Sequence, residues 1–168
     1  MTENTHTSLE DFKRLVNWAG HLHEEAEQCA GAGYWRAAFI LSAATVEAGL
    51  AATVLCFEPE LLSKGLLKPK EVIAKLSLAR LVDVARKAGW LPFVLDGSED
   101  ESEALAGGVG DAIRFLIKLR NVAVHPMAYV RDLPWLDFGD PMISDWFSIC
   151  EGIIDQVFKR LTSTMSSS

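Results

Sequence analysis

Basic residues are in short supply, cysteines are few, and no stretch alternates as a strand would. Against 23 Asp and Glu stand only 16 Lys and Arg, a net charge of -7. A chain so balanced repels polyphosphate as a whole, so any nucleic-acid site has to be local. Cys29, Cys56 and Cys150 are odd in number, far apart and without a CxxC pair. That argues against a disulfide framework or a thiolate metal site, and their apolar surroundings predict buried, reduced thiols. No uninterrupted apolar run reaches the ~18 residues of a bilayer span. The opening MTENTHTSLEDF lacks the basic start and apolar centre of a secretory signal. The expectation is a cytoplasmic protein with no membrane partner.

What is present is helical spacing, from end to end. A length of 168 residues suits one domain with its own core. That domain is expected over 1–168, with a core at about 8–162 and a short disordered tail at 163–168. Ser8 and Asp11 resemble a capping box, after which Phe12, Leu15, Val16, Ala19, Leu22, Ala26 and Cys29 recur at one, three and four. Gly31 and Gly33 close this first helix. The stretch YWRAAFILSAATVEAGLAATVLCF, Tyr34 to about Phe57, is apolar nearly all round and predicts the most buried helix. A third helix is expected from Pro69 to Gly89, with Val72, Ile73, Leu76, Leu81, Val82 and Ala85 as its stripe. After the acidic connection DGSEDESEALAGG, a fourth runs from about Gly110 to Val124. Asp140 and Pro141 start a fifth, with Ile143, Trp146, Phe147, Cys150, Ile153, Val157 and Leu161 at helical spacing. The fold class is all-α, a four- to five-helix bundle.

Two charges stand on apolar faces. At three, four and seven residues from Arg120 lie Ile113, Leu116, Ile117, Ala123 and Val124; around Glu47 the same offsets hold Ile40, Ala43, Ala44, Leu50, Ala51 and Val54. Either charge alone would be costly to desolvate, so the economical arrangement pairs Glu47 with Arg120 across the second and fourth helices. Such a pair is either a core ion pair and nothing more, or part of a site. The other face of the fourth helix carries Asp111, Arg114, Lys118, Asn121 and His125, of which Arg114, Lys118 and His125 make a small basic strip. An ideal helix turns residues five apart by about 140°, so Arg120 and His125 share a face only if the helix ends or bends. Pro126 disfavours the α conformation at His125 and provides for that; a second subunit completing the cleft is the other route.

The stretch LRNVAVHP, residues 119–126, resembles the Arg-x4-6-His motif of the HEPN superfamily, including the polar residue after the arginine, Asn121, and the proline after the histidine. The Ala-rich AAFILSAATVEAGLAATVL helix is similar to that family's early core helix. The resemblance implies a HEPN-like bundle acting as a metal-independent endoribonuclease, with no cofactor, usually a homodimer whose two motifs line one cleft. It carries over to Arg120, Asn121 and His125 as catalytic residues. Their chemistry suits 2′-hydroxyl attack: His125 as general base or acid, Arg120 as phosphate clamp and Asn121 as hydrogen-bonding support. Glu47, from the helix arithmetic, would fix Arg120. Expected products are a 2′,3′-cyclic phosphate and a 5′-hydroxyl, from single-stranded or looped RNA. Arg114, Lys118, Tyr129 and Arg131 are candidate substrate contacts. Tyr129, Trp135 and Phe138 would either stack bases or pin a long loop to the bundle. A toxin-type or defence-type nuclease would have an antitoxin as partner. The other reading is a non-catalytic HEPN-like module that binds nucleotide, RNA or protein. In HLHEE, His21, Glu24 and Glu25 stand at helix offsets that could begin a metal site, but a solvated helix face is the simpler account, because no other helix supplies an ExxH partner.

Overall fold

The turn after residue 31 decides how the first two helices meet. In the computed structural model, which describes residues 4–90, 117–118, 120–121 and 143–165, helix α1 spans Asn4–Gly31 and α2 spans Trp35–Cys56. Gly33 sits between them at φ +78°. There the Tyr34 amide donates to the Cys29 carbonyl (2.8 Å) and the Gly33 amide to that of Ala30 (2.9 Å). This 6→1 and 5→2 pair satisfies the terminal carbonyls of α1 and turns the chain back at once. The left-handed φ is why glycine stands there. α1 begins before Ser8; residues 4–7 add a polar turn with no apolar periodicity to announce it.

α2 is the hub, packed by α1 along its length and by the later helices. Ala38, Phe39, Ala43, Val46, Leu50, Ala52 and Val54 are all buried. Its two buried threonines hide their hydroxyls by donating back one turn, Thr45 Oγ1 to Leu41 O (2.9 Å) and Thr53 Oγ1 to Gly49 O (2.8 Å). Contrary to the expectation from uninterrupted runs, Trp35–Cys56 is long and apolar enough by composition to cross a membrane; 67% of its most apolar window is buried inside this fold. The interior place explains the composition, since a helix covered on several sides needs no polar face.

The predicted third helix is broken. A short α3, Glu58–Ser63, follows α2 directly, with Pro59 in its first turn, where a missing amide costs nothing. Pro69 does not start a helix. It occupies the second position of a turn closed by the Glu71 amide on the Lys68 carbonyl (2.9 Å), a place its fixed φ suits. The chain is then extended at Val72, turns once as a 3-10 helix at Ile73–Lys75, and extends again to Ser77. Helix α4, Leu78–Lys87, starts only there, capped by Ser77 Oγ accepting from the Arg80 amide (3.3 Å). Val72, expected in the apolar stripe, is 55% exposed, whereas Leu81 and Ala85 are buried as expected.

The C-terminal helix α5, Ile143–Met165, docks on α2. Ile143, Phe147 and Ile154 are buried, and the Phe147 ring meets Trp35 (6.0 Å, 62°) and Phe39 (6.1 Å, 74°) edge to face. The start at Asp140 and Pro141 lies outside the described residues, as do the side chains of Trp146, Cys150, Ile153, Val157 and Leu161. The tail expected to be disordered from 163 is helical through Met165. Thr162 Oγ1 donates back to the carbonyls of Phe158 (3.1 Å) and Lys159 (3.0 Å), so its hydroxyl is satisfied within the helix. The architecture is all-α, with no strand among the described residues. Cys29 and Cys56 are free thiols, but neither is buried as expected: Cys29 is half-buried and Cys56 exposed, at the last turn of α2.

Candidate functional site

Of the predicted fourth helix, residues 117, 118, 120 and 121 are described, and all are helical. Ile117 packs against the core, while Arg120, three residues on, is exposed. Its Nη1 donates to Asn121 Oδ1 (3.3 Å). Among the described residues no carboxylate pairs with Arg120, and the expected ion pair with Glu47 is not formed. The physical reason is reach: a guanidinium on a flexible stem rooted beside an apolar stripe places its charge in water rather than across the core. Lys118 is half-buried. Arg114, His125, Tyr129, Arg131, Trp135 and Phe138 lie outside the described residues.

Glu47 has a different setting. It is half-buried in a groove of about 650 Å³ between α1, α2 and the segment before α4. Leu15, Trp18 and Leu22 of α1 form one wall, Ile73 and Leu76 the other, with Glu47 and its small α2 neighbours between. Asp11 and Arg14 stand at the rim, and Trp18 is 57% exposed. The carboxylate therefore reaches solvent through the groove and needs no partner across the bundle. Neither Arg120 nor Asn121 lines this groove.

An arginine that sequence reasoning passed over holds the far wall. Arg80 of α4 makes a forked contact with Glu71, Nε to Oε1 and Nη2 to Oε2 at 3.0 Å each, and adds Nη1 to Asp83 Oδ2 (2.9 Å) and Nη2 to the Leu66 carbonyl (2.9 Å). The irregular segment 64–77 is thereby tied to a helix. The Arg80 hydrogen bonds, together with the Lys68 amide on Glu71 Oε2 (2.7 Å), lower the Glu71 pKa from 4.5 to about 2. A carboxyl depressed in the fold stabilises it fully above its unfolded pKa, and that contribution fades as pH falls toward about 2. The melting temperature of wild type should therefore exceed that of Glu71→Gln at neutral pH, with the gap closing between about 4.5 and about 2. A gap that stayed constant down to the acid limit would show that the clamp does not depend on the ionised carboxylate.

In HLHEE the three residues singled out stand on a solvated helix face, the simpler of the two accounts. His21, Glu24 and Glu25 are all exposed on α1. Instead His23, two residues along, turns inward toward α5, where its Nε2 lies 3.4 Å from Glu151 Oε2 and 3.9 Å from Glu27 Oε1. Burial raises the Glu151 pKa, with Glu27 and Asp155 adding to the rise and His23 opposing it. The sequence signal was a His and a Glu four apart on α1. What completes the group comes from 124 residues later in the chain (151 − 27), invisible to any local pattern. No family model, curated protein or solved structure matches this chain.

Proposed function

We propose that this protein is a metal-independent endoribonuclease of the HEPN type, acting on single-stranded or looped RNA as a homodimer with the two motifs at one cleft. The observation that supports the reading best is the setting of Arg120: exposed, hydrogen-bonded to a neutral amide, with no carboxylate among the described residues to cancel its charge. A planar guanidinium in that state is suited to a phosphate. In the proposed reaction the substrate's 2′-oxygen attacks phosphorus as its proton passes to a base, and the P–O5′ bond breaks with a proton delivered to the leaving oxygen. His125 supplies the proton transfer, and Arg120, supported by Asn121, stabilises the charge on the phosphorane. Glu47, set in the groove, takes no part in this version. A toxin-type or defence-type role, with an antitoxin as neutralising partner, belongs to the same proposal.

The test is cleavage of a mixed single-stranded RNA in EDTA by wild type and His125→Ala, with end-group analysis. Cyclic-phosphate and 5′-hydroxyl products that fall by about 10²- to 10⁴-fold in the variant are expected. No wild-type cleavage, or equal cleavage by both, would favour the second reading, a non-catalytic binding module. That reading has its own supporting observation in the groove beside Glu47, whose volume suits a small ligand or an apolar side chain of a partner.

A further inference from the structure

We infer that His23, Glu27 and Glu151 form a binding site for a divalent transition-metal ion of the zinc class, joining α1 to α5. Three ligand atoms, one from each residue, lie within 4.8 Å of one another. Zinc bound at about 2.0–2.2 Å by nitrogen and oxygen in a tetrahedron sets its ligands about 3.3–3.5 Å apart. The edge from His23 Nε2 to Glu151 Oε2, at 3.4 Å, already has that length. The edge to Glu27 Oε1 is longer, at 3.9 Å, and Glu27 is the free-moving member, its side chain 59% exposed where those of His23 and Glu151 are 27% and 25%. A small rotation of Glu27 closes the set.

A second observation is independent of these spacings. His23 Nδ1 and Glu151 Oε1 are both shut off from solvent and have no hydrogen-bond partner among the described residues. With Nδ1 sealed, the ring presents Nε2 to the two carboxylates. A bare ion pair between a protonated His23 and Glu151 leaves Oε1 unsatisfied, which is costly for a buried carboxylate oxygen. Bidentate coordination by Glu151 gives that oxygen a partner.

The donor set also selects the ion. Calcium takes six to eight oxygens and magnesium keeps most of its waters, whereas one imidazole with two carboxylates suits zinc, manganese or iron(II). Two carboxylates neutralise one divalent charge, and Asp155, one turn beyond Glu151, adds negative potential. None of these residues belongs to the cleavage motif, so the inference stands or falls apart from the nuclease reading.

The experiment is a zinc chloride titration of the chelator-treated full chain, read by equilibrium dialysis with elemental analysis and by melting temperature. Wild type should hold about one zinc per chain and melt higher with zinc than with EDTA, with excess magnesium failing to displace it. Because Glu151→Gln would disturb the α1–α5 contact, the deciding variants are Glu27→Gln, on an exposed side chain, and His23→Gln. Each should weaken zinc binding by about tenfold or more, while His21→Ala binds as wild type. An ion pair only would appear as no zinc retained by wild type at micromolar concentration, or as equal retention by wild type, Glu27→Gln and His23→Gln, and either would overturn the inference.

Discussion

Arg120→Ala is expected to lower RNA cleavage by about 10²- to 10³-fold, the usual loss when one preorganised donor to a developing oxyanion is removed. Its unfolding free energy should stay within about 0.5 kcal/mol of wild type. The two readouts together make the prediction informative. Had Arg120 been paired with Glu47 in the core, its removal would have left a buried carboxylate uncompensated and unfolded much of the population. Exposed on the helix surface, with Asn121 as its hydrogen-bond partner among the described residues, it has little to contribute to stability. Arg120→Lys keeps the charge but not the planar fork, so cleavage should be restored only in part. Cleavage by Arg120→Ala at the wild-type rate would remove the residue from the mechanism; a melting temperature that fell in step with activity would return it to the core.

For stability, the largest expected loss comes from Phe39→Ala, at about 3–5 kcal/mol. The Phe39 side chain is 0% exposed in the second turn of α2 and meets Phe147 edge to face. Truncation removes the transfer energy of the ring and opens a cavity at the contact where α2 receives α5, which is too well packed to collapse onto it. A typical domain is stable by only about 5–15 kcal/mol in all, so the variant should show a lower urea midpoint, and protection of α5 amides from hydrogen exchange should fall with it. A loss below about 1 kcal/mol would mean that α5 is not seated on Phe39 as described. The same contact carries one half of the His23–Glu151 group, so zinc affinity is expected to fall in this variant too.

The helices that were legible from the chain are those with a strong local signal. α1 was readable because Phe12, Ala19, Leu22 and Ala26 repeat on one face and are buried there, and because Gly33 marks a left-handed cap that few other residues tolerate. α2 was readable from its lack of any polar face. The segment from Pro69 to Leu76 misled, since apolar residues at helical spacing sit there in a turn, an extended residue and a 3-10 helix. Its conformation is held by the Arg80 to Glu71 and Leu66 contacts. Contacts nine and fourteen residues away in sequence leave no periodic trace.

The charged groups divide along the same line. Periodicity along one helix tells which side faces inward only on average, and it cannot say how far a long side chain travels before its charge rests. For Arg120 the stem leads out to the surface, and for Glu47 it leads into a groove beside α1. His23, by contrast, sits in a polar stretch of α1 and meets Glu151 only when α5 docks on α2 and brings that carboxylate to it. The all-α class, the two long N-terminal helices and their glycine cap follow from the sequence by itself, because backbone hydrogen bonding and a buried face are local demands. Which charges meet, and which stand apart in solvent, was decided by the tertiary structure alone, because the free energy of a charge depends on everything packed around it.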